Sequence, residues 1–166
     1  MSMSQAVIPL EEGWKKLREG GVLKIQEILE DLGDGQYSKK ITTDEYSSLY
    51  TTVYTMCTQK PPHNWSEQVF QRSADDTRQV SARAIARLAG KQGDQYAVTL
   101  FNVWRGFELY TRFVKHVFTY LNRFYVKRLD LPTIHEVVSQ AFSGALEIEA
   151  TTLGTGAEDR GRDIAL

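Results

Sequence analysis

Apolar residues recur three and four positions apart along most of this chain, with polar residues between them, and that spacing predicts amphipathic helices. Trp14, Leu17, Ile25, Ile28, Leu29 and Leu32 approximate a 3.6-residue period and set a first helix over 10–32. Gly20-Gly21 loosens its middle and Gly33 supplies its C-terminal cap. A second helix spans 43–58. Thr42 or Thr43 can accept an N–H bond at its start, and Asp44 and Glu45 suit the positive end of its dipole. Pro61-Pro62 stop it. A third helix, over 67–88 and capped by Asn64 or Ser66, carries only a thin apolar stripe through RSADDTRQVSARAIAR. Gly90 and Gly93 break the chain before a fourth helix (94–107) and a fifth (108–129) joined at Gly106, and Pro132 opens a sixth segment reaching Phe142. Alternating apolar–polar runs bounded by Asn-Gly or Asp-Gly turns do not occur, so the expected fold is all-α.

Composition changes this picture at the C-terminal end. The chain has 166 residues and a net charge of −1, enough length for one domain with its own core and no charge excess that would make it a general polyanion binder. Residues 143–166 differ in kind: they hold four of the 12 glycines, no aromatic residue and a net charge of −3, the signature of a disordered tail. The preceding 142 residues sum to +2. A single cysteine, Cys57, excludes an internal disulfide framework and a multi-cysteine zinc site, and suits a reducing compartment such as cytoplasm or nucleus. No run approaches the ~18 consecutive apolar residues of a membrane span, and the N-terminus lacks the form of a secretory signal.

Catalytic chemistry finds little support. Cys57 sits on the apolar side of the second helix, and His63, the nearest histidine, lies beyond two prolines, so an inert buried thiol is the better reading. His63, His116 and His135 are not at metal-ligand spacings. The pairs Glu11-Glu12 and Asp75-Asp76 are adjacent residues that point in different directions on a helix. No Gly-rich phosphate loop, GxSxG or HExxH motif occurs. A non-enzymatic protein without cofactor or metal is expected.

Binding surfaces are more informative. On the second helix Tyr46, Tyr50 and Tyr54 repeat at i, i+4, i+8 beside a strip of Leu49, Val53, Met56 and Cys57. The two stripes together cover about 160° of the helix, more than a surface helix needs for its core face. Either the helix is deeply buried, or the aliphatic strip faces the core and the tyrosines face a partner across small neighbours such as Ser47. Residues 101–125 hold nine of the 18 aromatics, and residues 104–128 carry six Lys/Arg against Glu108 alone. Phe113, Val117, Tyr120, Leu121 and Phe124 share a face at helical spacing, with His116, Tyr120 and Arg123 along its edge. The basic aromatic helix admits a nucleic-acid or anionic membrane surface as an alternative. The near-neutral chain and the core-like placement of its aromatics favour a protein partner with an acidic surface over both.

Two segments carry a family likeness. YSSLYTTVYTMCTQKPPHNWSEQVF (46–70) resembles the second helix and following loop of cullin N-terminal domains, especially plant cullin-1-type sequences, and YLNRFYVKRLDLPTIHEV (120–137) resembles the end of the fifth helix and the start of the next repeat. Glu12-Gly13-Trp14 sits where the family often begins with a similar Gly-Trp. The resemblance covers 8–142 and implies a five-helix cullin repeat followed by a divergent tail over 143–166. It further implies a non-catalytic scaffold fragment of a cullin-RING, SCF-type ubiquitin ligase. Its partner would be a SKP-type adaptor of BTB/POZ fold carrying F-box receptors, with no nucleic acid or membrane partner. The contacts it implies are Tyr46, Ser47, Tyr50 and Tyr54 on helix two, and His116, Tyr120 and Arg123 on helix five. Full cullins are several times longer, so the fragment is expected to lack the RING-binding domain; an adaptor-sequestering or non-functional short cullin is the alternative.

Overall fold

A computed structural model describes the backbone of residues 6–31 and 40–162 and the side chains of 6–28 and 40–154. The Leu29 side chain, Leu32, the Gly33 cap of the first helix and the last four residues fall outside what is described structurally. Every element among the described residues is helical. α1 (Leu10–Leu17) passes through a π-helical turn (Arg18–Val22) into α2 (Leu23–Asp31); α3 is Thr43–Thr58, α4 Ser66–Ala86 and α5 Gly93–Val117. A short α6 (Thr119–Leu121) and a second π turn (Asn122–Val126) follow, then α7 (Ile134–Arg162).

Local chemistry sets the boundaries. Thr42 and Glu45 form a capping box at the start of α3: Glu45 N–H donates to Thr42 Oγ1 at 3.2 Å and Thr42 N–H to Glu45 Oε2 at 2.7 Å. Thr133 and Glu136 repeat the device one residue after Pro132, at 3.3 and 2.7 Å, and start α7. Before α4, Asn64 Oδ1 accepts the Ser66 N–H at 3.1 Å while its amide donates to the Cys57 carbonyl at 2.7 Å, so one side chain ties the end of α3 to the start of α4.

The core forms where α1, α3, α5 and the first turns of α7 meet, with Leu17, Ile25, Val53, Met56, Phe113, Val117, Ile134 and Val138 fully or nearly fully buried. Two glycines allow the first helix its close approach. A Cβ on Gly21 would lie 2.4 Å from Cζ of Phe113, and one on Gly13 2.4 Å from Sδ of Met56. Gly20-Gly21 therefore does more than loosen the helix, since it lies in a π turn that brings backbone against the α5 aromatics. A second cluster, Ile85, Leu88, Val103 and Phe142, joins the C-terminal end of α4 to the first half of α5 and the early turns of α7.

Three expectations change. The fourth and fifth helices are one: α5 runs unbroken through Gly106, which is buried, and the chain turns instead at Phe118, whose φ of −96° and ψ of 18° end the helix. Packing on both sides of Gly106 outweighs the ~1 kcal/mol that glycine costs a helix interior. The sixth segment expected from Pro132 is present as α7. The thin stripe of α4 is the second change. It buries Ser73, Ala74, Thr77 and Ser81 as well as Val69, Val80 and Ile85, and α7 packs along it. Two of its buried hydroxyls are bonded, Ser73 Oγ donating to the Val69 carbonyl at 2.7 Å and Thr77 sharing a 3.2 Å bond with Tyr110. Third, the segment expected to be a disordered tail from Ser143 continues α7 as helix to Arg162. Ala145 and Leu146 pack on the second cluster, and Gly144 and Gly154 are carried inside the helix.

Candidate functional site

The candidate surface is built on α3 and the bend after α5. Leu49, Val53, Met56 and Cys57 are buried, and the same rotation turns Tyr50 and Tyr54 outward, 37% and 43% exposed. Tyr46, one turn earlier, is half-buried, its ring 6.1 Å from Phe113 and 5.8 Å from His116 on the last turn of α5. Of the two readings of this helix, the aliphatic strip toward the core and the tyrosines toward solvent is the one observed. Burial of the whole 160° sector does not occur.

From Tyr50 the aromatic band crosses between elements. Tyr50 and Tyr54 lie 6.4 Å apart, Tyr54 meets Tyr120 edge-on at 4.9 Å, and Tyr120 packs on Phe124 at 4.5 Å. The two halves of the sequence-predicted set are thus brought together: Tyr46 with His116, and Tyr50 and Tyr54 with Tyr120. Ser47 is exposed on α3, its carbonyl accepting from Thr51 Oγ1 at 2.8 Å, and no ring contact draws it into the band. Arg123 is exposed on the second π turn and shares an open cleft with Tyr120.

That π turn decides what the periodicity missed. A 3.6-residue period places Phe124 on the core face with Val117 and Leu121. The extra residue per turn swings it out instead, 58% exposed against 0% for Leu121. Asn122 holds the bend by accepting the Ile134 N–H at 3.0 Å. Beside it, the cleft of about 820 Å³ opens between the end of α3, the loop to α4 and the π turn, and Lys127 and Arg128 line it with Arg123. Phe124, Lys127 and Arg128 are thus the surface residues that helical spacing did not single out.

Burial raises the Tyr46 hydroxyl pKa, with Arg112 opposing, and burial followed by the neighbouring Tyr54 raises that of Tyr120. Both remain protonated donors at neutral pH. Burial pushes the Cys57 thiol up to about 11, so it is almost entirely protonated and a poor nucleophile, as the sequence reading expects. Among the described residues, no group of three His, Cys, Asp or Glu side chains is placed to hold a metal, and no helix is long and apolar enough to cross a membrane.

The model of the cullin alpha solenoid domain matches residues 14–151. The chain belongs to the cullin family. Its all-α architecture and the cullin likeness of both quoted segments agree with that membership. Among curated cullins it is similar to rice Cullin-1, 32% identical over 136 residues, and to Cullin-2 of Arabidopsis thaliana, 36% identical over 132 residues. These alignments cover 81% and 77% of this chain but 18% and 17% of those relatives. The "Putative cullin-like protein 1" of Arabidopsis is 30% identical over 141 residues, 19% of its length. This cullin chain therefore spans about a fifth of the length of these three relatives. The family match also runs past Phe142, into the part of α7 that sequence reading assigned to the tail.

Proposed function

We propose that this cullin chain is a non-catalytic scaffold segment that binds a SKP-type adaptor of BTB/POZ fold, itself carrying F-box receptors, in the setting of a cullin-RING ubiquitin ligase of cytoplasm or nucleus. Cullin membership supports the scaffold role. The observation that carries the adaptor reading is the outward band of Tyr50, Tyr54 and Tyr120 across two elements whose other faces are locked in the core. Tyrosine suits such a surface because it offers large apolar area, few rotors to freeze and a hydroxyl to pair at the rim. His116 and Arg123 flank the band and would meet polar or acidic groups of the adaptor, while Tyr46 buttresses it from its half-buried position.

Isothermal calorimetry of the chain with a SKP-type adaptor tests this reading. Tyr50→Ala with Tyr54→Ala should weaken binding by about 2 kcal/mol or more, a loss of roughly 30-fold, since buried aromatic anchors commonly carry that much. Both side chains are exposed in the free chain, so the helical circular dichroism should persist. Unchanged affinity in the helical double variant would remove the tyrosine band from the interface, and no binding by the parent chain would remove the adaptor reading itself.

A further inference from the structure

Beside the tyrosine band lies the cleft of about 820 Å³. Its volume falls within the ~300–1,000 Å³ of sites that hold small ligands or short segments. Its lining is mixed. Pro61, Tyr120 and Phe124 offer apolar surface, and Arg123, Lys127 and Arg128 offer charge. No Asp or Glu is among its lining residues, and none of the three cations makes an ion pair among the described residues. Glu67 accepts from Gln71 Nε2 at 3.3 Å and, after burial, raises the pKa of the Tyr125 hydroxyl in the cleft, which Arg128 lowers. Some cations elsewhere are paired: Arg72 holds Glu11 with both terminal nitrogens, Lys24 holds Glu45, and Arg78 meets Asp75 at 2.8 Å.

We infer that the cleft formed by Arg123, Lys127, Arg128 and Phe124 seats an acidic, extended segment of a protein partner, with carboxylates toward the three cations and alternate apolar side chains toward Phe124 and Pro61. Charge complementarity selects the occupant. Three uncompensated cations beside an apolar wall repel basic segments and leave a purely apolar one with desolvated charges. A nucleic acid fits less well, because phosphate tracking needs a long basic stripe and this chain has a net charge of −1. The cleft adjoins the tyrosine band through Tyr120 and continues it, yet its charge argument stands without the adaptor reading.

The test uses fluorescence anisotropy with the full chain near physiological salt. The probes are a short fluorescein-labelled peptide alternating glutamate and leucine, its lysine–leucine counterpart, and a single-stranded oligouridylate of equal length. The acidic peptide should bind and the other two should not. Lys127→Glu with Arg128→Glu should weaken it about tenfold or more, and Arg123→Gln should weaken it by a smaller factor. Lys15→Glu with Lys16→Glu, an equal charge change on exposed positions of α1, should leave the affinity unchanged. Tyr50→Ala should also leave it unchanged, so the cleft and the tyrosine band fail or succeed separately. Absence of acidic-peptide binding, equal loss in the α1 control, loss on Tyr50→Ala, or preference for the oligouridylate would each overturn the proposal.

Discussion

At the scale of single residues, small side chains decide more of this molecule than its large ones. Gly21 sits in the first π turn with a Phe113 ring atom 2.4 Å from where a Cβ would stand, and Phe113 is fully buried. Alanine there would gain up to ~1 kcal/mol of helix propensity. It would also force either the aromatic ring or the helix to move, an overpacking cost of typically 1–3 kcal/mol. The cost wins because Phe113 is hemmed in by Tyr46, Tyr110 and Phe118 at ring separations of 6.1–6.4 Å. Gly21→Ala should therefore lower the melting temperature by several degrees in a calorimetric scan. Gly144, inside α7 with nothing within 4 Å of an added Cβ, is the matched control, and Gly144→Ala should raise stability by about 0.5–1 kcal/mol. From sequence the two glycines look alike, since a glycine that breaks a helix, one that thins it for a neighbour and one that merely occupies it differ only in what stands opposite.

At the scale of elements, caps and spacing are what sequence reveals best. The bounds of α3 were legible to the residue, because Thr42, Asp44 and Glu45 announce its start and Pro61-Pro62 its end. The tyrosine stripe was legible for the same reason, being a short run on a regular helix. Phe124 was not: a π turn shifts the register of everything after it, and nothing in NRFYV marks one. The cap itself makes a pH-dependent contribution. Glu45 receives the Lys24 ammonium, the Thr42 N–H and the Thr42 hydroxyl contact, and the first of these does most to hold its carboxyl at about 2 against an ordinary value of 4.5. A depressed folded-state pKa stabilises the fold above the unfolded value and ceases to do so as pH falls through the folded one. The stability difference between the parent chain and Glu45→Gln should thus be full above about pH 5 and shrink steadily toward pH 2. Thermal melts across that window check it, and a difference constant with pH would mean that Glu45 acts through packing alone.

On the scale of the whole molecule, the C-terminal residues carry the largest departure from sequence expectation. Glycine, threonine and net negative charge over 143–166 fit the composition of disorder, yet composition cannot register that a helix already anchored at Ile134, Val138 and Phe142 needs little to continue. Beyond Phe142, Ala145 and Leu146 still touch the cluster of Ile85, Leu88 and Val103, while Thr151 and Thr152 return their hydroxyls to the carbonyls of Glu147 and Ile148 at 2.9 and 3.0 Å. Removing residues 143–166 therefore takes away helix and part of a core lid together. Leu146 is only half-buried, so the lost apolar contact amounts to about 1–2 kcal/mol. The truncated chain should melt several degrees lower, and its total far-UV helical signal per molecule should fall along with its length. A tail without helix would leave both where they were, and a helix hanging free of the core would cost the signal but not the melting temperature, so the two readouts together identify a helix that closes the second cluster.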